Sequence, residues 1–203
     1  MTARGDLFED LGCFITSRGV QVRRRKMEVE KPGEFDGPSI TINPKHDRDA
    51  SCFYLAHSFG SIYQWSTRLE HARQVFDGLR DAKRSVAEVS RDADADGTRS
   101  RFEEALEAWR LFEQSSSEHA VGVLAEIGHN DSIHSYTVFF RADIEAMTVF
   151  HRTGKEPRWP DFFAEWKTKV ARGDVRIEPF RPKPVTRFRP VRIEKQEVLQ
   201  ERD

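Results

Sequence analysis

The chain has only two cysteines, Cys13 and Cys52, and they do not form a closely spaced pair. This excludes a disulfide-stapled scaffold, a Cys-x-x-Cys redox motif and a cysteine metal knuckle. Both lie among apolar neighbours, so two buried, reduced thiols are expected. Long apolar runs are also missing: no window approaches the roughly 20 residues that a membrane span requires. The start, Met1 to Asp6, leads into an amphipathic stretch rather than an apolar signal segment, so a cytoplasmic protein with no membrane partner is expected. Charge of one sign is lacking too, because 33 basic residues face 34 acidic ones for a net charge of −1. Attraction to nucleic acid or membrane would therefore have to come from a local patch. At 203 residues, with 37% hydrophobic and 33% charged, the chain can bury a sizeable core beneath a well-solvated surface.

Periodicity predicts an α+β fold dominated by helices. Leu7, Leu11 and Phe14 recur at helical spacing from Asp6 to Ser17. Val20 to Val22 and Met27 to Val29 alternate like one strand, and 35–42 like its return strand after a turn at Lys31-Pro-Gly33. Helices are expected over 47–68, 69–90 and 98–114, then over a segment capped by Ser115 to Ser117 and stopped at Gly128. In the helix over 47–68, Phe53, Ala56, Gly60 and Tyr63 form one stripe. The amphipathic stretch from Asn130 or Asp131 to Gly154 and the segment from Trp159 to Val170, with Pro160 in its first turn, complete the helices. After Gly173 four prolines punctuate a basic segment, read as an extended arm.

The most informative stretch is Phe53-Tyr-Leu-Ala-His57-Ser58-Phe-Gly60-Ser61. A helical His-Glu-x-x-His places two imidazoles one turn apart to hold zinc, with the Glu as general base for zinc-bound water. Here Ser58 stands where the Glu would be and Ser61 where the second His would be. One imidazole cannot replace three protein ligands, and a hydroxyl of ordinary pKa cannot serve as that base.

The surroundings of this stretch resemble the IrrE/ImmA-type zincin metallopeptidase family. The resemblance rests on Gly33-Glu-Phe-Asp-Gly37-Pro-Ser-Ile40-Thr-Ile42-Asn43-Pro44, followed by Leu55-Ala-His57-Ser-Phe-Gly60-Ser61, and covers about residues 6–128. It implies a zincin-like domain, taken as 1–173, with a small N-terminal hairpin on a helical body; the basic, proline-punctuated arm follows at 174–203. It also implies that a further acidic ligand would fall near Ser117-Glu118-His119-Ala120, which leaves His57, Glu118 and His119 as the residual zinc candidates. Active members are peptidases, often paired with a repressor in stress responses or mobile elements. With His57, Ser58 and Ser61 as a vestigial motif, the resemblance implies a catalytically inactive interaction module. It would be a subunit or regulator of a larger cytosolic bacterial assembly in stress, mobile-element or defence biology. The alternative is a metal-dependent hydrolase with an atypical ligand set. No resident cofactor is expected, and zinc least of all.

Two other patterns carry chemistry. Asp92, Asp94, Asp96, Gly97 and Glu103 match the spacing of a calcium loop, although Arg99 occupies a position usually aliphatic in such loops; the plain reading is an acidic linker. In the arm, Arg181, Lys183, Arg187, Phe188, Arg189 and Arg192 are candidates for docking a partner, with Val185, Val191 and Ile193 as apolar anchors. The same basic and aromatic mixture would suit a nucleic-acid-binding module.

Overall fold

A computed structural model describes residues 5–27, 32–89 and 95–193. The first helix, α1 (Leu7–Ser17), is capped by Asp6, whose carboxylate accepts from the Phe8 and Glu9 amides. Its buried face is Phe8, Leu11 and Ile15. Three short strands follow: β1 (Gln21–Arg24), β2 (Gly33–Phe35) and β3 (Ser39–Ile42). Their order is β1-β3-β2, with β1 parallel and β2 antiparallel to the central β3.

This corrects the expected two-stranded hairpin. The reversal falls at Gly37, whose φ of +90° suits glycine, so the segment expected as one return strand is split into β2 and β3. β1 then runs beside β3 in the same sense. Met27 is buried outside any strand, and the expected continuation at Glu28 and Val29 lies outside the described residues.

α2 (Arg48–Thr67) is the axis of the molecule. Asp47 caps it through the Ala50 amide, and apart from Tyr54 every residue from Ala50 to Trp65 is buried. The stripe of Phe53, Ala56, Gly60 and Tyr63 is therefore one side of a helix enclosed on all sides, by α1, the sheet and later helices. α3 (Leu69–Val89) packs along α4 (Ala95–Glu126), and α4 crosses α2.

α4 is one continuous helix where two were expected. Ser115 to Ser117 do not cap a new helix. Ser116 and Ser117 are fully buried inside the old one, where Ser116 Oγ donates to the Phe112 carbonyl (3.2 Å) and accepts from Gln64 Nε2 (2.8 Å). Small hydroxyl residues let the backbones approach closely: a Cβ built on Gly60 would lie 2.1 Å from the Ser116 carbonyl oxygen.

α5 (Ser132–Thr153) ends at Gly154 and α6 (Trp159–Arg172) at Gly173, both left-handed glycines. Residues 176–193 form neither helix nor strand and lie across the body as a strap. Phe180, Val185 and Ile193 join the same apolar cluster as α1, β3, α2 and α4. The strap crosses Gly122, which lies against the Lys183 carbonyl, and ends where the Ile193 amide donates to the Asp36 carbonyl at 2.9 Å.

Candidate functional site

The polar groups of α2, α4 and α5 meet around His57. Its Nε2 lies 3.0 Å from Glu113 Oε2 on α4. Its Nδ1 lies 3.2 Å from Ser117 Oγ and 3.3 Å from Tyr136 Oη, and Tyr136 donates to Ser117 at 3.0 Å. With a neutral imidazole the network has one sense: Tyr136 donates to Ser117, Ser117 to Nδ1, and Nε2–H to Glu113. Both ring nitrogens are thus engaged by the protein itself, and His57 is only 7% exposed.

Burial pulls the His57 pKa down. The Glu113 hydrogen bond and charge, with help from Asp143, outweigh burial and hold it above the ordinary value. Asp143 on α5 is pushed up to about 6, chiefly by burial and also by Glu113, while His57 opposes the rise. Tyr136, enclosed by the same helices, is raised strongly by burial.

Among the described residues, neither Ser58 nor Ser61 bonds to the Glu113, Ser117 or Tyr136 side chains. Ser61 Oγ donates to the His57 carbonyl one turn back, at 3.3 Å. Ser58 Oγ is buried without a well-formed hydrogen bond, although it is close enough to the Tyr54 phenol to lower a pKa that burial raises. Ser117, His57 and Glu113 have the order of a nucleophile, base and orienting acid. Ser117 is fully buried, however, so no substrate carbonyl can reach its hydroxyl in this arrangement.

The residual zinc set is not assembled. Glu118 forms an ion pair with Lys183 on the strap, and the His119 ring packs on Tyr63 with centroids 4.6 Å apart. Burial, with help from Lys183, lowers the His119 pKa. Among the described residues no group of three His, Cys, Asp or Glu side chains is placed to hold a metal ion. The residues present therefore do not fit a catalytic zinc: one imidazole of the motif remains, and a carboxylate is bonded to the nitrogen that would face the ion.

Of the candidate calcium loop, Asp92 and Asp94 lie outside the described residues. Asp96 and Glu103 both fall within α4, so the second half of that loop is helix rather than a turn. Glu103 pairs with Arg152 at 2.7 Å. The thiols also divide: Cys52 is buried and pushed up to about 12 chiefly by burial, whereas Cys13 is exposed, contrary to expectation. A surface pocket of about 250 Å³ lies away from His57, lined by Phe8, Arg24, Ile42, Pro44, His46 and Arg48 among others.

In the arm, Phe188 packs on Phe59 and Tyr63 (5.7 and 5.2 Å between centroids), and Lys183 is tied to Glu118 by side chain and backbone. These two residues serve the chain's own packing. Arg181, Arg187, Arg189 and Arg192 are exposed.

Sequence reasoning missed Glu113, Tyr136 and Asp143. Glu113 and Ser117 are four apart and share a face of α4, a relation hidden by the expected break between them. Tyr136 and Asp143 are two polar residues seven apart on a helix face read only for its apolar side.

No family model, curated protein or solved structure matches this chain.

Proposed function

We propose that the chain is a zincin-like interaction module without peptidase activity, working as a subunit or regulator of a larger assembly, with a bacterial stress, mobile-element or defence system as the setting. The observation that carries this reading is the direct contact of His57 Nε2 with Glu113 inside the body. A zincin peptidase would need that lone pair on a metal and a carboxylate beside it for water. Here the lone pair's position faces a carboxylate, and the motif's remaining positions are hydroxyls bonded locally or buried. The order of helix, small sheet and His-bearing helix supports the zincin-like part of the reading.

The test combines metal analysis with hydrolysis. Protein purified without chelators, alongside His57→Ala, is expected to carry no stoichiometric zinc and to leave a denatured protein substrate intact. Stoichiometric zinc that disappears in His57→Ala, with chelator-sensitive hydrolysis, would replace this reading with the metal-dependent hydrolase. Copurification of the tagged chain from its native host is expected to return a defined protein partner.

A further inference from the structure

We propose that the outward edge of the strap binds single-stranded nucleic acid through its phosphates. This rests on the strap alone and not on the reading of the His57 cluster.

Three of the strap's inward anchors, Phe180, Phe188 and Ile193, are flanked by an arginine facing water, whereas Val185 is not. Phe188 turns in to Phe59 and Tyr63, while its neighbours Arg187 and Arg189 are exposed. Phe180 is buried beside exposed Arg181, and Ile193 beside exposed Arg192. Burial that alternates around Phe188 places Arg187 and Arg189 on one side, about 6.6 Å apart along an extended chain. Successive phosphates rise only about 3.4 Å each along a duplex strand, so a step of this size suits an extended single strand rather than a stacked duplex.

The four guanidinium groups are not consumed by the described part of the chain. Among the described residues none of them forms an ion pair or hydrogen bond. Glu118 beside the strap is committed to Lys183, and the strap's one described carboxylate, Glu178, is exposed and lies before the first of the four arginines. Because the chain's net charge is −1, this row is a local feature and not part of a generally basic surface.

The choice of partner follows from what faces outward. A protein interface needs an apolar centre as well as charge, and the strap has spent Phe180, Val185 and Ile193 on its own core. What remains is a line of planar, permanently charged donors, the chemistry that grips phosphodiesters without reading sequence. Docking at Gly122 and at Asp36 holds the line in place before a ligand arrives, which lowers the ordering cost of binding.

The experiment is fluorescence anisotropy with a labelled 20-nucleotide single-stranded DNA of mixed sequence and the full chain. Binding at 50 mM salt should weaken roughly 50-fold by 200 mM, as about four released counterions require. The variant R181Q/R187Q/R189Q/R192Q, with unchanged circular dichroism and melting, should lose at least tenfold in affinity and most of the salt slope. Removing paired charges on α3, in R73Q/R80Q, should leave binding within twofold. The proposal is overturned by absence of binding at 50 mM salt, by unchanged binding in the quadruple variant, or by polyglutamate of equal charge displacing the DNA equally well. The last outcome would assign the row to acidic peptides.

Discussion

At the scale of single residues, the buried histidines respond to pH in opposite senses. His57 has a folded pKa above its unfolded value, so its contribution to stability is complete below about pH 6.5 and is lost as pH rises through the folded value. Replacing Glu113 by Gln removes the charge that outweighs burial. The imidazole titration of His57, followed by NMR, is expected to move down in Glu113→Gln, and thermal stability to fall by about 1–3 kcal/mol. An unchanged His57 titration would show that Glu113 does not govern the ring. His151 is the reverse case: buried against Trp109, with neither ring nitrogen hydrogen-bonded, it is lowered to about 3, first by burial and then by Lys83. It stays neutral when folded and takes a proton when unfolded, so it costs stability as pH falls from about 6.5 toward 3. His151→Leu is therefore expected to flatten the acid limb of the stability curve, measured by denaturant melts at pH 7, 5 and 4. A parallel shift at all three would locate the acid response elsewhere.

At the scale of elements, the close crossing of α2 and α4 decides the geometry of the His57 cluster. Gly60 faces the Ser116 carbonyl, and one methyl group there must move backbone rather than a flexible side chain. Gly60→Ala is expected to cost about 1–3 kcal/mol in a denaturant melt; a loss under about 0.5 kcal/mol would mean that the crossing relaxes freely. This crossing also explains what could be read in advance. α1, α2, α3, α5 and α6 were legible through apolar spacing, helped by the Asp6 and Asp47 caps of α1 and α2 and by the glycine stops of α5 and α6. Ser115 to Ser117 misled because a serine run looks like a cap, whereas these hydroxyls bond within the helix and to Gln64. The sheet misled because β1 meets β3 through a parallel pairing that no local turn announces. His57 stood out through its motif, but its partners Glu113, Ser117 and Tyr136 sit 56, 60 and 79 residues away on two other helices and had no local signal.

At the scale of the molecule, the strap makes the C-terminal part of the described chain a structural component. Phe180, Val185 and Ile193 each bury a side chain worth about 1.5–3 kcal/mol. Ending the chain after Gly173 is expected to lower the melting temperature by on the order of 10 °C, measured by calorimetry; an unchanged transition would mean that the strap contributes nothing to the fold. The same burial separates the strap's two faces, apolar toward α2 and cationic toward water. The body beneath it is organised around the network that joins α2, α4 and α5 at His57.

The measurement closest to the centre of the account is the response of the His57 ring to zinc. With one equivalent of Zn²⁺ added to metal-free protein, the ring resonances of His57 are expected to stay in place, because Glu113 and the Ser117–Tyr136 pair hold both nitrogens. A stoichiometric shift of those resonances, matched by loss of the Glu113 contact, would contradict it.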